Sequence, residues 1–338
     1  MRRRGFLKIV AVGVTGAATG RLLARGKDEP RVVTVRGAIP ASRLGQTLVH
    51  EHVLVDFVGA DQINPSRYDP EEVFRVALPH FEKLKAAGGQ TFVDCTPAFL
   101  GRDARLLRRL AEATGLNVLT CTGFYGAGKG KYLPAFVARE TADEIALGWA
   151  REFEDGLPPD NIRPGIMKIG VDAAPLSAVD EKLVRAAARC HRRTGLAIVS
   201  HTPDGAAAMA QLEVLKAEGV EASDFIWAHA QKEKDAALHE RAAKLGAWVE
   251  FDGIALETLA QHVDLVMHMK RAGQLHRVLI SQDAGWYHVG EPHGGDFRGY
   301  DFLFTGFLPA LRKAGASKAD TRTLTVKNPR AALALRAV

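Results

Sequence analysis

One unit recurs along this chain: a short run rich in β-branched residues, then a loop, then a segment of helical periodicity. The strand-like runs fall at 48–55, 91–94, 117–121, 165–169, 197–200, 224–227, 248–251 and 278–281. Helical patterns lie between them at 70–87, 103–114, 178–194, 204–218, 234–245 and 256–272. Gly115, Gly195 and Gly246 stand just past three of these, where a helix commonly ends in a left-handed residue. Strict β-α alternation with short apolar strands requires a parallel sheet covered by helices. Eight repeats favour closure, so the expected fold is α/β, a (β/α)8 TIM barrel, with a small N-terminal β element over 32–47. The Pro-rich stretch Leu157-Pro158-Pro159 reads as a loop. No linker divides the body, and residues 27–338 are expected to form one domain.

Charge is distributed unevenly. The chain has 338 residues, 45 Lys+Arg and 39 Asp+Glu, for a net charge of +6. Residues 1–26 hold Arg2, Arg3, Arg4, Lys8, Arg21 and Arg25 and no acid, so the whole excess sits there and the remainder is balanced. A neutral body gives no electrostatic case for a nucleic-acid partner. The leader reads R-R-R-G-F-L-K before a short Gly- and Ala-rich apolar stretch, too short to span a bilayer as a helix, which takes about 20 residues. It resembles a twin-arginine export signal, which implies a periplasmic or extracellular protein that crosses the membrane folded. Cys95, Cys121 and Cys190 are odd in number and show no C-x-x-C spacing, so buried free thiols are expected.

In a barrel of this kind function resides where the strands end. His50 and His52 are two apart on the first strand, which points both into the interior. Lys168 closes the fourth strand, His201 the fifth, His229 the sixth and Asp283 the eighth. Histidine and carboxylate donors suit zinc, manganese, cobalt or iron. A buried Lys168 ammonium beside two such ions would be strongly disfavoured, and carbamylation would turn this cation into a bridging anion. There is no G-x-S-x-G, and Ser200 reads as a strand residue rather than a nucleophile.

The stretches T-L-V-H-E-H, T-G-F-Y, G-I-M-K-I-G, V-S-H-T-P, W-A-H-A and I-S-Q-D resemble the phosphotriesterase family of the amidohydrolase superfamily, from about Val33 to Asn328-Pro329. That resemblance implies two divalent metals, zinc foremost. His50, His52 and Asp283 would hold one and His201 and His229 the other, with N6-carboxylated Lys168 and a hydroxide bridging both. It also implies a small-molecule ester substrate and Asp283 as proton acceptor. Tyr125 is similar to a rim tyrosine of the lactonase branch. In organophosphate-hydrolysing members a proton relay continues from the strand-eight Asp, and here its places hold Gly253 and Lys232, with Asp235 and Asp252 nearby. Lys232 reads as a solvated loop charge. Efficient phosphotriester turnover is therefore not expected, and lactones or carboxylic esters come first. Amide or phosphodiester hydrolysis, or metal-dependent ligand binding without catalysis, are the alternatives.

The segment after Asp283 reads as a loop over the site, with Trp286, Tyr287 and His288 as a substrate-binding wall. His262 and His268, six apart on a helix, are expected in packing or surface roles, and His293 at the surface. No stable membrane span is expected, and a homodimer is left open as the assembly.

Overall fold

The computed structural model describes residues 29–337; residues 1–26, expected to be an export signal, lie outside the described residues. Two short strands, β1 (Arg31–Thr34) and β2 (Gly37–Pro40), form an antiparallel hairpin, the expected N-terminal β element. The barrel strands follow as β3 (Thr47–Val55), β4 (Thr91–Asp94), β5 (Asn117–Leu119), β6 (Cys121–Thr122), β7 (Ile166–Gly170), β8 (Ile198–His201), β9 (Phe225–Ala228), β10 (Trp248–Phe251), β11 (Val278–Ile280) and β12 (Gly285–His288). The intervening helices are α1 (Pro70–Ala86), α2 (Ala104–Thr114), α3 (Ala142–Asp155), α4 (Ala178–Thr194), α5 (Gly205–Ala217), α6 (Ala236–Leu245) and α7 (Leu259–Arg271). Three short helices end the chain: α8 (Leu308–Lys313), α9 (Lys318–Arg322) and α10 (Asn328–Leu333).

The fold is the expected parallel α/β barrel, with its ladder divided into two arcs. One runs β12-β3-β4-β5 and the other β11-β10-β9-β8-β7-β6. The third strand, expected as continuous over 117–121, is broken at Thr120, so β5 pairs with β4 while β6 pairs with β7. The eighth strand is broken too. It passes from β11 into β12, and β12 pairs in parallel with β3 from Gly285↔His52 to His288↔Val55. Each broken strand thus belongs to both arcs, and strands three and eight form the two seams.

Helix packing follows the apolar periodicity. In α1 the buried residues are Val73, Ala77, Phe81 and Leu84, a stripe on one face, and Asp69 caps its first turn through the Glu71 N–H. Ser177 and Asp180 form a reciprocal capping box on α4, and Gly195 ends that helix at φ 72°. Inside the barrel, Val49, Val93, Ile166, Val199 and Leu279 join Val32, Leu44 and Leu333 in one buried cluster. That cluster fills the N-terminal end, and the candidate ligands lie toward the opposite end. All three cysteines are buried and free, as expected.

Candidate metal centre

The break in the eighth strand aims Asp283. Its φ of 50° is left-handed, a conformation Asp tolerates better than most residues, and its N–H donates to the His50 carbonyl at 3.0 Å. His229 at φ 64° and Trp286 at φ 75° share this conformation. Such residues cost roughly 1–3 kcal/mol each and are retained where surrounding contacts over-determine them. Gly285 is required directly after Ala284, because a Cβ there would clash with the His52 carbonyl.

These constraints bring all six expected ligand residues to one cavity of about 220 Å³, lined also by Phe57, Cys95, Leu100, Tyr125, Lys232 and Trp286. His52 Nε2 lies 3.2 Å from Asp283 Oδ1, and its Nδ1 is 2.7 Å from Thr96 Oγ1. Lys168 Nζ lies 2.7 Å from His50 Nε2, both groups being buried. The His201 and His229 rings meet edge to face at 4.3 Å between centroids.

Electrostatics prepare two of the histidines as ligands; at His50, burial and Lys168 push the pKa down, but Glu250 and Asp252 outweigh them and raise it to about 10. Burial pushes His52 down to about 4 against the pull of Asp283. Burial, together with His229, Lys168 and Lys232, drives His201 well below the ordinary imidazole value. Both are therefore neutral at pH 7, with a ring lone pair available for a metal. For Asp283, burial raises the pKa, but the close approach of His52 and the neighbouring His50 and His229 outweigh it. The carboxyl stays well below its usual range and is ionised at neutral pH.

Two carboxylate-histidine groups come close enough to hold a metal ion: His50, His52 and Asp283, and His50, His229 and Asp252. The first is the expected set, and its unpartnered Asp283 Oδ1 suits a cation. The second is already a hydrogen-bonded support. Asp252 accepts from His229 Nδ1 at 2.6 Å and from the His229 N–H at 2.8 Å, which leaves the His229 Nε2 lone pair free for a ligand. Asp252 follows β10 and continues its inward alternation from Glu250, so it backs His229 rather than standing only near the relay places.

Other expectations are corrected. The segment after Asp283 begins as strand β12 rather than as a loop. Its alternation sends Trp286 and His288 to one side, their rings 6.1 Å apart and stacked, and Tyr287 to the other. Tyr287 is 5% exposed, packed in the core against Gly294, and does not line the cavity. Trp286 does: its ring lies 4.3 Å from that of His52, and its Nε1 donates to the Asp283 carbonyl. Phe57, absent from the sequence reading, stacks on Trp286 at 5.7 Å and extends the wall. Tyr125 reaches the rim, 5.1 Å from the His201 ring. Lys232 is exposed but opens onto the cavity instead of standing clear of it. His262 packs behind the site, Nε2 at 2.7 Å from the Asp252 carbonyl; His268 contacts Glu240 and exposed His293 contacts Glu72.

The phosphotriesterase family model matches residues 30–333. The chain belongs to this family. Among phosphotriesterase-family relatives, the phosphotriesterase homology protein of Escherichia coli (strain K12) is 29% identical, covering 84% of this chain and 96% of its own. The phospho-furanose lactonase of Mycoplasmopsis synoviae (strain 53) is 26% identical, covering 89% and 91%. The structure of organophosphorus hydrolase from Deinococcus radiodurans superposes with a TM-score of 0.81 at 28% identity, covering 93% and 99%. Phosphotriesterase-family enzymes are metal-dependent hydrolases with a binuclear centre, and the donor set gathered here fits one. Among the described residues no helix is long and apolar enough to cross a membrane.

Proposed function

We propose that this protein is a binuclear metal-dependent hydrolase of lactones or other carboxylic esters, with weak phosphotriester hydrolysis alongside. The observation that carries this reading is the meeting of His50, His52 and Asp283 ligand atoms within 4.8 Å of one another, beside the buried amine of Lys168. His50 Nε2, His52 and Asp283 would hold one ion and His201 with His229 the other, joined by Lys168 as a carbamate. Zinc is proposed first, with manganese, cobalt and iron as alternatives. When bound, two such ions lower the pKa of a water and polarise the scissile carbonyl.

The remaining chemistry belongs to the side chains. Ionised Asp283, with Oδ1 unpartnered, accepts the proton of the attacking water. Burial, with the neighbouring Asp283 charge, raises the Tyr125 phenol above its ordinary value, so it stays protonated and donates to a substrate oxygen. Trp286 and Phe57 supply an apolar wall. At the relay places, Gly253 has no side chain and Lys232 cannot accept a proton as an ammonium. This supports carboxylic esters over phosphotriesters.

Lys232 also supports a narrower substrate class. It has no carboxylate partner among the described residues and opens onto the cavity, which favours an ester bearing an anionic group. The likeness to a phospho-furanose lactonase agrees with this. The leader resembles an export signal, and export to the periplasm or beyond is part of the same proposal.

The test is a hydrolysis panel of phosphorylated lactones, neutral lactones, aryl esters and organophosphates, with zinc, manganese and cobalt loaded separately. Turnover of lactones ahead of organophosphates is expected. Metal-loaded protein that hydrolyses nothing while binding a panel member tightly would replace this reading with a binding function.

A further inference from the structure

Below the centre, one buried group has no use in the chemistry above. Glu250 lies on β10 between Trp248 and Asp252, all three directed into the barrel, and is fully buried. Its register partner on β11, Leu279, is apolar, and Leu279, Trp248 and Ile226 all belong to the buried apolar cluster. Both Glu250 oxygens lack a hydrogen-bond partner. A buried carboxylate is costly unless a donor meets it, and barrel interiors at this depth are usually filled by branched apolar side chains. The group facing it is His50 Nδ1, 3.4 Å from Glu250 Oε2 and likewise without a partner.

Among the described residues the competing acceptor is Asp252 Oδ2, at 3.3 Å, but that carboxylate is already engaged. It takes His229 Nδ1, the His229 N–H and Gln231 Nε2 at 2.6, 2.8 and 2.7 Å. The two carboxylates thus divide the work: Asp252 backs His229, and Glu250 is left for His50. The separation exceeds a hydrogen bond by only a few tenths of an ångström. Withdrawing the His50 proton from Nε2, as ligation there requires, leaves Nδ1–H as the ring's single donor.

We propose that Glu250 is a positioning residue for the metal centre, accepting the Nδ1–H of His50 and so holding the tautomer whose Nε2 lone pair faces the cavity. This rests on the reading of His50 as a metal ligand. Outer carboxylates of this kind orient a histidine ligand and raise its basicity, and losing one typically weakens metal affinity about 10–100-fold.

The experiment compares Glu250→Leu and Glu250→Gln with the wild type, using cobalt in chelator competition, the cobalt absorption spectrum and the ¹⁵N shifts of His50. In Glu250→Leu one of the two metal equivalents should weaken about 10–100-fold with a changed spectrum while the other holds. Glu250→Gln keeps the shape and an amide acceptor but loses the charge, and should weaken the same equivalent to a smaller extent. Metal-free thermal stability should be unchanged or raised in both, because an orphaned buried carboxylate has been removed. If Glu250→Leu does not fold, Glu250→Gln decides. Wild-type affinities, spectrum and His50 shifts in Glu250→Gln overturn the assignment. Wild-type protein that takes up no metal overturns the metal-centre reading itself, and with it this assignment.

Discussion

Glu51 reaches across the barrel seam to Ala284: its Oε2 accepts the Ala284 N–H at 2.7 Å. Its other oxygen accepts Ser281 Oγ at 2.8 Å and the Gln282 N–H at 2.9 Å. Glu51 stands between His50 and His52 and points to the opposite face of β3. One strand therefore supplies two candidate ligands and the tether that fixes a third, since Asp283 lies within the segment Glu51 holds. Where the eighth strand breaks, this side chain and the Asp283–His50 backbone bond take the place of a continuous ladder.

Replacing Glu51 by Gln keeps its volume but turns one acceptor into a donor aimed at an N–H or a hydroxyl. A buried donor left without an acceptor costs about 1–3 kcal/mol, and Glu51→Gln should lose roughly that much stability by urea unfolding. It should also retain less metal, because Asp283 is no longer held. An unchanged urea midpoint with full metal content would show that the seam does not depend on this contact.

Lys168 carries the second prediction. Its amine lies in a buried layer against His50, and no carboxylate pairs with it among the described residues. Lys168→Ala should fold with near wild-type thermal stability but bind the metal pair poorly and hydrolyse lactones at under about a hundredth of the wild-type rate. Metal-free wild type should recover activity more slowly from carbonate-depleted buffer than from buffer with added bicarbonate. Equal recovery in both would argue against a carbamate.

A pH dependence follows from Asp94, which bonds the Val53 and Thr96 N–H groups at 2.9 Å behind the first strand. Burial raises its carboxyl to about 7, against the opposing hydrogen bonds from Thr96 and Val53. A carboxyl raised above its unfolded value of about 4 contributes stability that is full at low pH and lost as pH rises through the folded value. In metal-free protein the stability gap between wild type and Asp94→Asn should therefore shrink from pH 4 to pH 7, by on the order of 3 kcal/mol. A gap that widens over this range in urea titrations would reverse the sign and the account.

What could be read from the sequence was whatever local pattern governs. Strand runs, helix stripes and terminal glycines placed β4, β10 and α4 to the residue, because period and capping are written in adjacent positions. Among the expected ligands, His201, His229 and Asp283 lie at or just past strand ends for the same reason, while His50, His52 and Lys168 lie within β3 and β7. Helix α3 was missed although Thr141 and Glu144 carry its capping box, since no strand-like run announced the unit. The break at Thr120 and strand β12 depend on how neighbouring strands pair, which no single segment encodes. Tyr287 was misplaced because a loop has no faces, whereas the strand that actually forms alternates them. Glu250, and the partner of Asp252, were not legible because the importance of each lies in which histidine it meets.

Lys232 yields the final prediction, and salt separates its effect from simple damage. Its amine is exposed at the cavity, so its influence on a charged substrate is Coulombic, partly screened, and modest compared with a buried contact. Lys232→Glu reverses the sign at that point without replacing any candidate ligand. For a phosphorylated lactone, kcat/KM should fall about tenfold, equivalent to roughly 1.4 kcal/mol, mainly through KM. For a neutral lactone of the same ring size it should change less than about twofold. The tenfold penalty should also diminish as ionic strength rises, because a Debye length of about 8 Å at physiological salt shortens to about 3 Å at 1 M. An equal loss on both substrates, unaffected by salt, would mean that Lys232 shapes the loop after β9 rather than selecting charge.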